Sequence, residues 1–203
     1  MNNYEYIVAS LPVLRPDDRT SDSLDAASLI DEIRAQISGR DGAVLDRLLD
    51  GYDAEKLDAD FYRSVLKHPN RFLREWFAFD LDLRNVTVDH LNEVLGRSEG
   101  QDQILLEERE EAEFPEEART REILLGSDIL ARERGLDELR WQKIDEITIL
   151  DYFDLDAILG YVARLKIIDR WLQLDPDSGR AFFRRLVEQI RSTYDNKKKN
   201  DIL

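Results

Sequence analysis

LDELRWQKIDEITILDYFDLDAILGYVARLKIIDRWLQL, residues 136–174, decides the fold class. Leu155, Ile158, Leu159, Val162 and Leu165 step by three and four, the spacing that lines up one face of a helix. Tyr161, Ile168, Trp171 and Leu172 flank that row, so the apolar surface wraps past a single stripe. A helix apolar over so wide an arc has to be covered on more than one side, by other helices or by a partner. The stretch holds no nucleophile–base pair and no metal-ligand spacing. It points to assembly rather than catalysis.

Upstream, the same periodicity recurs. Phe72, Trp76, Phe79 and Leu83 form one row, and Leu73, Phe77 and Leu81 the adjacent row, of a core helix. Asp58 begins a shorter helix through Phe61, Val65 and Leu66, interrupted at His68-Pro69 because a residue before proline is pushed out of helical geometry. Pro69 is expected in the first turn of the core helix. After Asn85, VTVDHLNEVLG (86–96) reads as a separate short helix, capped by Thr87 or Asp89 and ended at Gly96. Nearer the start, Asp22 or Ser23 caps a helix with Leu29, Ile30, Ile33 and Ile37 inside, ending at Gly39. Asp41 caps the next, with Val44, Leu45, Leu48 and Leu49, closed by Gly51. Residues 4–11 alternate like a strand and also carry helical spacing; a short helix stopped at Pro12 is preferred.

Residues 101–119 are the acidic peak: Asp102, Glu107, Glu108, Glu110, Glu111, Glu113, Glu116 and Glu117 against Arg109 and Arg119. Pro115 is expected to split this region into two helices, and Gly135 and residues 151–154 to be further joints. A last helix has Asp175 as cap, Pro176 in the first turn and Phe182, Phe183, Leu186, Val187 and Ile190 inside. The fold expected is all-α, an elongated multi-helix bundle. It is one domain over 1–203, with lobes of about 1–100 and 101–195 as the alternative division and a frayed tail at 196–203.

Composition narrows the function classes. The formal charge of −15 argues against nucleic acid, because phosphate binding needs a basic surface. There is no cysteine, hence no disulfide, thiolate nucleophile or cysteine metal site. No secretory signal and no apolar run of membrane-spanning length is evident, so the chain reads as cytoplasmic. A di-iron site needs Glu-x-x-His pairs, and only His68 and His90 are available, the latter in the opposite order with Glu93. LDPDSGR (174–180) is too short for a calcium loop. No phosphate-binding or dinucleotide glycine pattern occurs. Neither metal nor cofactor is expected, and no catalytic residue. Trp76, Trp141 and Trp171 are candidates for core or interface, Trp76 for core above all.

Two segments carry a resemblance. FLREWFAFDLDLRNV (72–86) is similar to the Asp-x-x-Asn element of the C/d family of stalk subunits in V-type and archaeal-type ATPases, with Asp82 and Asn85 in the matching positions. LDAILGYVARLKIIDRWLQLD (155–175) resembles that family's Tyr-x-x-Lys-type helix, with Tyr161, Lys166 and Asp169 near the corresponding places. YEYIVASLPVL (4–14) and DELRWQKIDE (137–146) look closer still to a small bacterial family associated with V-type ATPase operons. The resemblance implies an all-helical, non-enzymatic protein between the rotor ring and the central shaft, partnered by rotary-ATPase subunits. Through that complex it would sit at the inner membrane face. Because the chain is shorter than a full-length member of the C/d family, an accessory or assembly role stands beside the stalk role. The partner-binding residues expected are Tyr161, Ile168, Trp171, Trp141, Asp82 and Asn85. The alternatives are a carboxylate-dependent metal enzyme using residues 107–117, and a free-standing acidic adaptor.

Overall fold

The computed structural model describes residues 4–16, 25–109 and 112–173. Among these residues the protein is all-α, with helices α1 Glu5–Ser10, α2 Ala26–Gln36, α3 Gly39–Asp50, α4 Ala59–Leu66, α5 Arg71–Leu95, α6 Glu117–Leu124, α7 Ile129–Thr148 and α8 Leu155–Gln173. Short 3-10 turns lie at Ala54–Lys56 and Glu107–Arg109. None of these helices is long and apolar enough to cross a membrane.

The organising element is α5, which packs against α4, α6, α7 and α8, while α8 also closes on α2 and α3. The two apolar rows expected on α5 are inside: Phe72, Leu73, Trp76, Phe77, Phe79, Leu81 and Leu83 are all buried. Phe61 of α4 meets Phe77 edge-on with centroids 5.0 Å apart, and Trp76 stacks on Phe79 at 6.0 Å. On α8 the stripe Ile158, Leu159, Val162 and Leu165 is fully buried, with Leu155 packed at its edge. One apolar cluster runs from Tyr4 to Ile167, so residues of both halves of the chain share a core.

Helix starts follow local chemistry. Asp25, Asp58 and Asn70 each accept the backbone N–H three residues on, at 3.1, 2.7 and 2.9 Å. Asp128 accepts from Leu130 and Ala131. Such caps satisfy donors that have no partner inside the helix. Gly96, at φ +63°, ends α5 in the left-handed conformation that glycine adopts without a Cβ penalty.

Several boundaries differ from those expected. Pro69 precedes the cap Asn70 rather than occupying the first turn of α5. The 86–96 segment is not separate: α5 continues unbroken for 25 residues, and the Thr87 hydroxyl donates to Leu83 O at 2.8 Å instead of capping. No proline or glycine falls between Arg71 and Leu95, so nothing stops the helix until Gly96. Ser38, not Asp41, caps α3, and α2 ends at Gln36 before reaching Gly39. The α2 cap is Asp25, whereas Asp22 and Ser23 lie outside the described residues.

Among the described residues only one α-helix, α6, forms around Pro115; Gln101 and Ile104 before it are held in a loop by side chains from α5, and Glu107–Arg109 makes only a 3-10 turn. Gly135 is no joint. It lies inside α7, where a Cβ would come 2.9 Å from Ile123 of α6, so the glycine is a notch for a crossing helix. The joint at residues 151–154 is present between α7 and α8. The expected helix around 175–190 and the tail at 196–203 fall outside the described residues.

Candidate functional site

The residues expected to bind a partner occupy three different settings. Asp82 and Asn85 face the loop that follows α5. Asn85 donates through Nδ2 to Ile104 O at 2.9 Å and accepts from Ile104 N at 3.0 Å, so its amide closes both backbone groups of one residue. Its own carbonyl accepts from Gln103 Nε2 at 3.0 Å. Asp82 pairs with Arg109, and burial raises its carboxyl pKa, an effect the arginine opposes. The Asp-x-x-Asn element therefore clamps residues 103–109 onto α5. Asn85→Ala is expected to strip both partners from Ile104, costing about 1–3 kcal/mol for the stranded pair. Hydrogen exchange at the Ile104 amide should accelerate, and unchanged protection there would contradict the clamp.

Trp141, Tyr161 and Trp171 lie on α7 and α8, each partly buried against the core. The Arg164 guanidinium stands 5.7 Å over the Trp141 ring and donates to Asp145, tying α8 to α7. The Tyr161 hydroxyl is enclosed without a hydrogen-bond partner among the described residues, and burial pushes its pKa up to about 12. Ile168 requires a correction. At 2% exposure it is core, because α8 is covered on its flanking side as well, and it offers nothing to a partner. The Trp171 indole donates to Asp137 Oδ2 at 2.7 Å, with Arg134 and Arg170 within 6 Å of its ring.

Asp137 is the centre of a larger network that sequence reasoning missed. It accepts from Arg140 Nη1 at 2.9 Å and from Arg170, besides the indole. Nearby on α5, Asp80 accepts from Arg84 Nε and from the Tyr62 hydroxyl, both at 2.7 Å. Burial, and then the Asp80 charge, raise the Tyr62 pKa far above the usual tyrosine range. Lys166 pairs with Asp169 at 3.0 Å. Apart from Tyr62 and Trp171, these groups line a cleft of about 280 Å³ bounded by α5, α7, α8 and the end of α3, with Tyr52 and Ile167 among its walls. In sequence they appear only as Asp80–Arg84, Asp137–Arg140 and Lys166–Asp169 pairs, the ordinary spacing of a solvated helix face. Nothing local announces that three such faces converge.

A second feature is the pair of apolar ends. Leu91, Val94 and Leu95 in the last turns of α5, Leu125 after α6, and Ile129 and Leu130 opening α7 are all exposed. Arg121 of α6 bonds Asp89 at 2.8 Å and lies 3.7 Å from Glu93, which sets the end of α6 beside the end of α5. At the far end of α7, Ile149, Leu150, Tyr152 and Phe153 are exposed together, and Phe153 O accepts from Tyr4 N at 2.6 Å, bringing exposed Tyr6 of α1 alongside. Sequence offered a signal for the second end, four large apolar residues at an expected joint, that periodicity arguments do not use.

Part of the acidic segment is engaged with cations: Asp102 with Arg97, Glu108 with Lys67, Glu116 with Lys143, and Glu117 with Arg121. Among the described residues no group of three His, Asp or Glu side chains is arranged to hold a metal ion. No curated protein and no solved structure matches the chain. The profile of DUF2764, described as a protein of unknown function, matches residues 52–194, a span that takes in every cleft-lining residue except Gly51. With well over half its length in that match, the chain belongs to the DUF2764 family.

Proposed function

We propose that this protein is a non-enzymatic subunit or accessory protein of a V-type or archaeal-type ATPase, coupling or assembling the central shaft with the rotor ring. The observation that carries the reading is the pair of apolar ends. They sit at opposite termini of α7, a helix of 20 residues and therefore about 30 Å long. Leu125 at one end is 76% exposed and Leu150 at the other 78%, each among further exposed large apolar residues, the kind of surface that marks an interaction site. A rigid bundle with a sticky surface at each end is what joining two partners requires. The similarity of residues 72–86 and 155–175 to the C/d family of stalk subunits suggests which two.

Carboxylates flank the second end: Asp145, Glu146, Asp151, Asp154 and Asp156, with Arg71 bonded to Asp151 and 3.7 Å from Asp156. A basic, apolar partner surface suits it. An acidic adaptor outside any ATPase would use the same surfaces and differ only in its partners.

Purification of the tagged chain from its native membranes in mild detergent distinguishes them. Shaft and ring subunits should co-purify in stoichiometric amount. Leu125→Asp and Leu150→Asp, both at exposed positions, should each release one set of partners while the helical circular dichroism and melting midpoint stay as in the wild type. A chain that purifies without any rotary-ATPase subunit would overturn the assignment.

A further inference from the structure

We propose that the cleft between α5, α7 and α8 binds a small organic oxyanion, a carboxylate or a phosphate monoester, gripped between the guanidiniums of Arg84 and Arg140. The site is independent of which partners the two ends engage.

The first ground is open donors. Arg84 spends Nε on Asp80 and Arg140 spends Nη1 on Asp137. Among the described residues the two Nη atoms of Arg84, and Nε and Nη2 of Arg140, have no hydrogen-bond partner. A guanidinium presents its N–H groups as a planar fork that matches the two oxygens of a carboxylate or phosphate. Both arginines also line a second cavity of about 330 Å³ on the far side of the first. They form a partition that an anion can reach from the cleft.

The second ground is charge. The cleft is lined by four cations, Arg84, Arg140, Lys166 and Arg170, against three carboxylates, Asp80, Asp137 and Asp169. Asp137 is shared by two arginines, but Arg170 also bonds Glu133 at 3.0 Å, so the charges around the cleft balance within a chain of net −15. A concave, locally neutral site spares an anion the repulsion that a chain of this net charge otherwise exerts. If the network served stability alone, apolar side chains of similar volume would serve as well, since buried ion pairs scarcely outweigh their desolvation.

The third ground is size and wall chemistry. A volume of about 280 Å³ admits about ten non-hydrogen atoms, counting roughly 30 Å³ for each as for water. The half-open ring of Tyr52 and the side chain of Ile167 offer an apolar wall for the ligand's body. An oxyanion on a small ring or short chain fits that division.

Titration calorimetry at low salt with phenyl phosphate, benzoate and inorganic phosphate tests the site, with Trp76 fluorescence as a second readout from the cleft floor. At least one aryl probe should saturate at 1:1 with a Kd of about 1 mM or tighter. Saturation by phenyl phosphate alone assigns a phosphate monoester, by benzoate alone a carboxylate, and by both the shared oxyanion. Arg140→Gln leaves Asp137 bonded to Arg170 and Trp171, so the variant should fold while binding falls about tenfold or more. Arg84→Lys, which keeps the charge beside Asp80 but loses the fork, should weaken binding as well. The proposal is overturned if neither aryl probe saturates by about 10 mM. It is equally overturned if Arg140→Gln binds like the wild type, or if inorganic phosphate binds as tightly as the aryl probes.

Discussion

Replacing Phe72 by alanine should lower the melting midpoint by roughly 10 °C, taking about 3–5 kcal/mol for a buried Phe→Ala and about 2–4 °C per kcal/mol in a chain of this size. Phe72 is fully buried at the crossing of three helices. Its ring stacks on Trp76 with centroids 6.3 Å apart on α5. It also lies against Gly160 of α8, where an added Cβ would sit 3.5 Å from the ring and only 2.7 Å from Thr148 Cγ2 of α7. Because α8 approaches so closely there, it cannot settle further inward to fill the space that the ring vacates. A cavity remains, and cavity volume is what makes such truncations expensive. Phe153→Ala, at an exposed position on the α7–α8 joint, is the matched control and should shift the midpoint by no more than a degree or two. Thermal melts followed by circular dichroism decide the matter. Equal shifts for the two variants would mean that the α5–α8 crossing is not the core.

Asp137→Ala should be the most damaging single change among the charged residues, at about 2–3 kcal/mol, or roughly 5–10 °C in the midpoint. Its side chain is 8% exposed and takes donors from two arginines and an indole. Removing it takes the shared acceptor from Arg140, Arg170 and Trp171 at once, although Arg170 keeps Glu133, and severs an α7–α8 cross-link. The full penalty for an uncompensated buried charge does not apply, because Arg140 and Arg170 retain side-chain exposures of 21% and 42% and water takes up part of the loss. Asp137→Asn keeps one acceptor and should cost about half as much. Trp171 fluorescence should change in both variants, since its N–H loses or exchanges its acceptor. A midpoint for Asp137→Ala within a degree of the wild type would show the network to be screened by solvent and energetically idle.

These two sites show where sequence reading succeeds and where it stops. Phe72, Trp76, Phe79, Leu83 and the stripe Ile158, Leu159, Val162 and Leu165 were legible because helical periodicity is a one-dimensional signal: the spacing of apolar residues dictates which face must leave water. The caps at Asp58 and Asn70 sit at breaks that the sequence also marks, because unpaired N–H groups at a helix start need an acceptor within three residues. Length was less legible. Asn85 suggested an end to the core helix, yet its amide reaches across to Ile104 and leaves the helix to run on to Gly96. A side chain's competing partner, nineteen residues away, is invisible to a local rule.

By itself, then, the sequence determined the all-α class, the identity of the two strongly apolar helices and the faces they bury, since each follows from residues within a few turns of one another. Only the tertiary structure decided that Ile168 is core, that Gly135 admits Ile123 rather than ending a helix, and that Asp82 and Asn85 hold a loop. It alone brought Arg84, Arg140, Lys166 and Arg170 from three helices to one cleft. The physical reason is separation along the chain. Side chains 30 to 90 residues apart meet only once α5, α7 and α8 have packed, and the charges of a converging face look in sequence like those of any solvated one.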